Sequence, residues 1–267
     1  MHLVVCAKQI PDPETPASAF RIDAATNRVV PAPGLPLVLS QFDGIAAEAA
    51  LRIKEGGTGH KITVISLGEE QAAAAIKQVL AMGADEGVLL RDAAFEDGDS
   101  HTTATALAAA IRKLGDVDVV CCGRQAADWD MGQVGLILAE LLDWPVAPLA
   151  QSVEAVAGGV RVRRGVGDGF ETIETSTPAV VTVSNELGTP RYPRLPQIMA
   201  AAKKPIVTWG ATDLGLDPAK LGAAGRRLVL ERLALPTKGG NVRLIEGDTP
   251  AEQAAALVAQ LRADRVL

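Results

Sequence analysis

The sequence predicts a doubly wound α/β fold with a parallel sheet, a small antiparallel addition and an extended C-terminal arm. From residue 1 to about residue 143, short apolar runs alternate with amphipathic segments of helical length. Such alternation is the pattern of parallel strands joined by right-handed helical crossovers. After Pro145 the runs alternate in polarity and are separated by glycines, which is typical of antiparallel strands. From Ile206 the periodicity weakens, as in a segment that wraps another surface.

The composition excludes several classes of function. The hydrophobic fraction of 48% is enough for a substantial core, which must be aliphatic because aromatic residues make up only 3%. A net charge of −6 gives no electrostatic reason to bind nucleic acid or an anionic membrane. Three cysteines do not make a disulfide framework, and the N-terminus runs directly into a strand without an apolar leader. We therefore expect a cytoplasmic protein without a membrane span.

Four apolar runs predict the parallel strands, because strands buried on both faces lack polar alternation. These runs are residues 2–7, 61–66, 87–90 and 117–122. Apolar stripes at helical spacing predict helices after Ser40, after the turn at Leu67-Gly68, from residues 97–100 and from Gly132. Ser40 is the expected N-cap of the first of these helices. Residues 8–16 are expected to form a proline-stiffened loop, and residues 20–36 an exposed excursion with a hairpin around residues 25–27.

The second half predicts antiparallel strands followed by loop and arm. The predicted strands are residues 151–156, 159–164, 170–175 and 179–184. A proline-rich loop over residues 185–196 leads into a short helix over 197–204. A last helix begins with Thr249 as N-cap and Pro250 in the first turn. We therefore divide the chain into an α/β domain at 1–205 and a C-terminal extension at 206–267.

The loop at residues 124–131 is the strongest candidate for a binding site. It follows a buried strand, and open parallel sheets bind their ligands beyond the carboxyl ends of their strands. The helix that starts at Gly132 offers free N–H groups and a positive dipole end, which suit a phosphate. Gly132 and Gly135 would let a ligand or another backbone come close. An ordinary connection between strand and helix explains the same residues, so both interpretations stay open at this point.

Known nucleotide and catalytic motifs are missing. No G-x-G-x-x-G follows the first strand and no GxxxxGK[ST] occurs, which argues against a standard dinucleotide fold and a P-loop ATPase. No Ser-His-Asp set, paired-carboxylate cleft or metal-ligand spacing stands out. We therefore expect a protein without substrate chemistry of its own.

Five segments carry a resemblance to a known family. They are VCAKQIPD at residues 5–12, FDGIAAEAALRIKE at 42–55, AMGAD at 81–85, GRQAADWDMGQVG at 123–135 and PAVVTVSNELGTPRYPRLPQIMAAAKKPI at 178–206. Through these segments the chain resembles, over nearly its whole length, the β subunit of electron transfer flavoproteins, the family that includes FixA. The last segment is so long and so unusual in composition that chance agreement is improbable.

The resemblance implies a fold, partners and cofactors. The fold would be of the adenine nucleotide α-hydrolase-like type. The chain would pair with an α subunit that holds most of a redox-active FAD, and would itself bury AMP or, in electron-bifurcating members, a second FAD. The heterodimer would carry electrons from acyl-CoA or related dehydrogenases to a quinone oxidoreductase or another acceptor. The C-terminal extension would then wrap the α subunit.

The resemblance also implies the residues of a nucleotide pocket. They are Cys6, Ser40, Gln41, Phe42, Asp43, Leu67, Gly123, Arg124, Gln125, Ala126, Ala127, Asp128, Trp129, Asp130, Met131, Gly132, Gln133 and Val134. The phosphate would lie against the helix start at residues 132–134. Asp128 and Asp130 would hold ribose hydroxyls or, as the simpler alternative, cap that helix.

A docking loop for partner dehydrogenases is implied at residues 186–199. Its candidate contacts are Pro190, Arg191, Tyr192, Leu195, Ile198 and Met199. Leu195 is the candidate anchor, because one apolar side chain on a proline-stiffened tip loses little entropy on docking. The alternative is that Leu195 packs on the body of this chain. We expect Lys203 and Lys204 to be a solvated helix end rather than a docking patch.

Departures from the family pattern leave AMP and a second FAD as open alternatives. Trp129 stands where family members mostly have a small or acidic residue, and Ser40-Gln41 where Asn-Pro is common. The segments KQIPD and KKPIVTW are more similar to the branch that includes bifurcating members. A function of a different class also stays open, namely a stand-alone ATP-binding or universal-stress-type protein that forms a stable monomer or homodimer.

Overall fold

A nine-stranded sheet runs through the computed structural model, which describes residues 1–31, 33–235, 240 and 242–267. The strands are β1 His2–Cys6, β2 Gln9–Pro11, β3 Phe20–Asp23, β4 Arg28–Pro31, β5 Leu37–Leu39, β6 Lys61–Leu67, β7 Glu86–Leu90, β8 Val119–Gly123, β9 Val146–Val156, β10 Gly159–Val166, β11 Gly169–Ser176, β12 Ala179–Val183 and β13 Ile206–Trp209. The helices are α1 Gln41–Glu55, α2 Ala73–Met82, α3 Ser100–Leu114, α4 Val134–Leu142, α5 Leu195–Ala201, α6 Gly222–Gly225 and α7 Pro250–Ala263.

The strand order confirms the predicted α/β class. It is β11-β10-β9-β12-β8-β1-β6-β7-β13, and all pairs from β9 to β13 in this order are parallel. The chain moves outward from β1 through β6 to β7 and then returns to place β8 on the other side of β1. The direction of winding therefore reverses between β1 and β8. A crevice outside the carboxyl ends of two such strands is where open α/β sheets bind ligands.

Helices cover both faces of the sheet. Alternate residues of each strand face opposite sides, so Leu3 and Val5 pack in the cluster with α1 and α2, whereas Val4 and Cys6 pack in the cluster with α3 and α4. Much of α1 and α3 facing the strands is alanine, and small side chains let a helix lie close to a sheet. The aliphatic core expected from composition is thus confirmed.

The prediction that residues 179–184 form an antiparallel strand is wrong. Strand β12 lies inside the sheet and pairs parallel with both β8 and β9. All five of its residues are buried, as expected of a central parallel strand. The antiparallel addition consists of β9, β10 and β11, and it continues the main sheet instead of forming a separate one.

Two local elements concern the excursion after β1. The hairpin predicted around residues 25–27 is present as β3 and β4, with Asn27 in the left-handed region at φ 52°. The loop at residues 8–16 contains a short strand, β2, which pairs antiparallel with β5. The sequence did not predict this strand. The prolines of residues 8–16 argued against a strand, since proline cannot donate a backbone hydrogen bond to a neighbouring strand.

The C-terminal extension begins in the sheet and ends exposed. Strand β13 pairs with β7 at one edge. Helix α7 has no buried residue, although its start is well formed. Thr249 Oγ1 accepts the N–H of Glu252 at 3.2 Å, and the Glu252 carboxylate accepts the N–H of Thr249 at 3.1 Å, which confirms the predicted cap. No helix in the described ranges combines the length and the apolar character needed to cross a membrane.

Candidate functional site

A cavity of about 200 Å³ opens where the sheet reverses its winding, at the carboxyl ends of β1 and β8. The starts of α3 and α4 form the facing walls. Residues expected in the pocket that do line the cavity are Cys6, Asp43, Leu67, Gly123, Arg124, Gln125, Ala126, Trp129, Met131, Gly132, Gln133 and Val134. Sequence positions more than a hundred residues apart are thus brought to one place.

Six expected pocket residues do not line the cavity. Ser40 is fully buried just before α1 and does not cap it through its side chain. Phe42 lies under the Arg124 guanidinium, 5.4 Å from its ring centre. Of the expected residues, those that do not line the cavity are Ser40, Gln41, Phe42, Ala127, Asp128 and Asp130.

Other lining residues were missed from sequence. They are Ala7, Lys8, Ile65, Ser100, Thr103, Leu107 and Cys122. Strand alternation would have found Ile65, since it faces the same side as Leu67. Ser100 and Thr103 come from the start of α3, which the sequence predicted within residues 97–100 and which Asp99 caps. Nothing local indicated that this helix start faces the same cavity as α4.

The Asp43 carboxylate links the chain just after β1 to the end of β8, the two strands that flank the cavity. It lies in the first turn of α1, where one carboxylate oxygen accepts the N–H of Lys8 at 2.8 Å and the other that of Gly123 at 3.2 Å. Burial raises the pKa of Asp43 to about 7, although both hydrogen bonds and the Lys8 charge act in the opposite direction. A Cβ on residue 123 would lie 2.5 Å from the Asp43 carboxylate, so only glycine leaves room for Asp43 at this position.

The start of α4 presents backbone N–H groups without a side-chain cap. Gln133 occupies the N-cap position and makes no capping hydrogen bond. Gly132 has φ 61°, a conformation that glycine adopts at little cost. The free N–H groups at such a helix start attract anions. Gly135 also lines the cavity, and a Cβ at this position would lie 2.6 Å from the methyl group of Thr182 in β12.

The two loop aspartates do not cap α4. Asp128 accepts two hydrogen bonds from Lys8 Nζ, at 2.7 and 2.9 Å. Asp130 accepts one from Gln125 Nε2 at 2.7 Å. The capping alternative is therefore wrong for both residues, and both carboxylates instead organise the loop.

The chemistry of the cavity favours binding over catalysis. Cys6 and Cys122 lie on neighbouring strands in the lining, and a hydrogen bond between these thiols, together with burial, raises the pKa of Cys6 well above its usual range. A neutral thiol is a poor nucleophile. Among the residues the structure describes, no group of three or more His, Cys, Asp or Glu side chains is placed to hold a metal ion.

Comparison with known proteins gives the family. The model of the electron transfer flavoprotein domain matches residues 31–214. The chain is 38% identical to the caffeyl-CoA reductase-Etf complex subunit CarD of Acetobacterium woodii, over the full length of both chains. It is 38% identical to an electron transfer flavoprotein subunit beta of Clostridium acetobutylicum, over 97% of this chain and 96% of that one. It is also 32% identical to protein FixA of Azotobacter vinelandii, over 98% and 94% of the two chains.

The chain belongs to the β-subunit and FixA branch of the electron transfer flavoprotein family. The resemblance inferred from the five sequence segments is thereby confirmed. The cavity therefore lies in a subunit of the electron transfer flavoprotein family.

The loop at residues 186–199 of this flavoprotein subunit exposes apolar side chains. Tyr192 is 90% exposed, Leu195 69% and Met199 65%, while Ile198 is 44% exposed. Leu195 is the first residue of α5 and does not pack on the body of the chain, which excludes the alternative considered from sequence. Pro190, by contrast, lies close to Gly44 of α1.

Lys204 differs from its expected role. Its ammonium group donates to the backbone oxygens of Leu80, at 2.9 Å, and Ala84 at the end of α2. The pKa of Lys204 is lowered, chiefly by burial. The prediction of a solvated helix end is therefore wrong for Lys204, whereas Lys203 is exposed as expected.

Proposed function

We propose that this chain is the β subunit of a cytoplasmic heterodimeric electron transfer flavoprotein and that its cavity holds an adenine nucleotide. The observation that carries the proposal is the uncapped start of α4 opening on a cavity at the winding reversal of the sheet. A family member with an anion-binding helix start at that point is well suited to a nucleotide phosphate.

The lining residues fit the parts of an adenine nucleotide. The N–H groups around Gly132 and Val134 would bind the phosphate. Leu67, Ile65 and Leu107 offer an apolar surface for the base. The hydroxyls of Ser100 and Thr103, on the opposite wall, are available for polar atoms of the ribose.

The redox chemistry of the complex would come from FAD held mainly by the α subunit. FAD accepts and passes on electrons one or two at a time. The residues of this chain would contribute binding and orientation. The donors would be acyl-CoA or related dehydrogenases, and the acceptor a quinone oxidoreductase or a similar protein. The exposed patch of Tyr192, Leu195, Ile198 and Met199 would dock the donor.

AMP and the AMP half of a second FAD share the chemistry that the cavity recognises. Trp129 lines the cavity and is 48% exposed, so its indole is available to contact either occupant. The two occupants differ in consequence, because a second FAD would allow electron bifurcation driven by NADH, whereas AMP would be structural.

The deciding experiment is co-expression with the α subunit followed by denaturation and chromatography of the released nucleotides. One FAD and one AMP per heterodimer would establish a simple carrier. Two FAD without AMP would establish the second flavin. A colourless, stable homodimer that hydrolyses ATP would overturn the proposal in favour of a stand-alone ATP-binding protein.

A matched pair of variants tests the position of the nucleotide. Thr103→Trp places an indole in the cavity, whereas Thr105→Trp alters the same helix at a residue outside the lining. The Thr103→Trp complex should lose the adenine nucleotide of this subunit and keep the α-subunit FAD. The Thr105→Trp complex should keep both. Equal nucleotide content in the two variants would place the nucleotide elsewhere.

A further inference from the structure

We propose that Lys8 and Asp128 form a latch that retains the nucleotide in the cavity, an inference that rests on the proposed adenine-nucleotide site. Lys8 follows β1, and Asp128 lies in the loop after β8. The Lys8 ammonium group lies 2.9 and 2.7 Å from the two carboxylate oxygens of Asp128. The pair therefore joins the loops after β1 and β8, between which the winding of the sheet reverses.

Both partners are held in place by their own surroundings. The Lys8 backbone is fixed on both sides, since its N–H donates to Asp43 at 2.8 Å and its carbonyl oxygen accepts the N–H of Ser40 at 2.9 Å. The loop that carries Asp128 is closed by a hydrogen bond from the Asp130 N–H to Ala126, at 2.9 Å. Because both backbones are already ordered, closing the pair costs mainly side-chain entropy.

The pair lies at the rim of the cavity. Lys8 belongs to the lining, as do Ala126 and Trp129 on either side of Asp128. A bound nucleotide would have to leave past these loops. The Lys8 side chain is 44% exposed and that of Asp128 19% exposed, so water can replace the ion pair when it opens. A latch of this kind slows release without making it impossible.

A second role for Lys8 makes a different prediction. An ammonium group in a cavity lining could bind the phosphate directly. Asp128 would then repel the nucleotide, and its removal would strengthen binding. In a latch, Lys8 and Asp128 act as one unit, so removing either has the same effect as removing both.

The test measures nucleotide release from the complex with the α subunit. Wild type, Lys8→Met, Asp128→Asn, the double variant and the charge exchange Lys8→Asp with Asp128→Lys are loaded with radiolabelled AMP and chased with unlabelled AMP. Lys61→Met is the matched control, because Lys61 forms an ion pair with Glu86 at 2.7 Å at the opposite end of the sheet. Where the purified wild type contains a second FAD instead, fluorescence of the released flavin follows the same series.

Each single variant and the double variant should release nucleotide about 5-fold faster than wild type, which corresponds to about 1 kcal/mol. The charge exchange should restore slow release, and Lys61→Met should leave it unchanged. Unaltered release in Lys8→Met and Asp128→Asn would overturn the latch. Weaker binding in Lys8→Met with tighter binding in Asp128→Asn would replace it with direct phosphate contact. A wild-type complex that holds neither AMP nor a second FAD would refute the nucleotide site itself.

Discussion

Arg191 binds Glu48 with its backbone and its side chain at once. The Arg191 N–H donates to Glu48 at 3.1 Å, and the guanidinium donates to both Glu48 oxygens at 2.8 and 3.1 Å. The same guanidinium also binds Glu55, two turns further along α1. Arg52 adds a second connection, because it donates to Glu48 at 3.0 Å and to the carbonyl oxygen of Leu187 at 3.2 Å. Helix α1 therefore holds the loop at residues 186–199 from beneath.

This arrangement gives Arg191 a positioning role within the loop. The Glu48 side chain is only 7% exposed, so its carboxylate depends on these donors. Burial opposes ionisation, but the hydrogen bonds from Arg191 and Arg52 hold the pKa of Glu48 below its usual range. The pKa of Arg191 is raised, first by Glu55 and then by Glu48.

We expect Arg191→Ala to destabilise the protein by about 1–3 kcal/mol, since a largely buried carboxylate loses charged hydrogen bonds. Urea unfolding of the complex would measure the loss. The KM for the donor dehydrogenase should rise as well, because the docking loop loses its support. Arg191→Lys should recover only part of both effects, since an ammonium group cannot reproduce the two-pronged contact.

Arg194→Ala is the matched control for Arg191. Arg194 lies in the same loop and forms no ion pair among the described residues. It should leave the free energy of unfolding within about 0.5 kcal/mol of wild type. An equal loss in both variants would mean that the clamp on α1 does not hold the loop.

Leu195 should affect docking alone. At 69% exposure, the side chain contributes little to folding, so Leu195→Ala should leave the Tm of the complex unchanged. The KM for the donor dehydrogenase should rise about 10-fold with an unaltered kcat, as for a central apolar contact worth roughly 1–2 kcal/mol. The KM of a Tyr192→Ala variant, altered at a more exposed residue of the same patch, offers a comparison with that of Leu195→Ala. A normal KM in Leu195→Ala would exclude Leu195 as the anchor.

Asp43 should make stability depend on pH near neutrality. Because its folded pKa is raised to about 7 from 3.8, the folded state binds the proton more tightly than the unfolded state. The resulting stability is fully present below about pH 4 and is lost as pH rises through about 7. Above that pH a buried carboxylate is ionised, and its bonds to Lys8 and Gly123 only partly compensate.

The pH effect is measured against Asp43→Asn, which does not titrate. The Tm of the wild-type complex minus that of the Asn variant should fall between pH 4.5 and 7 and level off above pH 8. The slope in free energy can reach at most about 1.4 kcal/mol per pH unit. A Tm difference that is constant with pH, or that grows towards pH 8, would show that folding does not raise the pKa of Asp43.

Local sequence patterns predict most strands and helices of the parallel half of the fold. They say little about which distant segments come into contact. Apolar runs such as 2–7 and 61–66 identified the strands, because burial on both faces leaves a continuous apolar pattern. The same signature occurs in β12, yet it does not say which neighbours a strand has, so its parallel placement was missed. The expected cavity residues were found largely through family resemblance. The Lys8–Asp128 and Arg191–Glu48 pairs join segments more than a hundred residues apart, and such pairing has no local signal.

Asn27 anchors residues 230–233 of the C-terminal extension and offers a test of how this part of the arm is held. Its side-chain amide donates to the backbone oxygens of Leu230, at 3.2 Å, and Glu231, at 2.8 Å. Its carbonyl oxygen accepts the N–H of Leu233 at 3.1 Å. Asp99 adds a second anchor nearby, since its carboxylate accepts the N–H groups of Arg227 and Leu228 at 2.6 and 2.9 Å.

We expect Asn27→Gly to release this part of the arm while preserving the turn, because glycine adopts the left-handed conformation of Asn27 without strain. Amide hydrogen exchange at Leu233 in the isolated subunit should speed up by about 5-fold, in line with the loss of a hydrogen bond worth about 1 kcal/mol. If the extension wraps the α subunit, as the resemblance implies, association with that subunit should weaken by a similar factor, since the arm must then be ordered on binding. Asn27→Asp keeps the acceptor for Leu233 and should fall between Asn27→Gly and wild type. Unchanged exchange and unchanged affinity in Asn27→Gly would mean that the hairpin tip does not organise the arm.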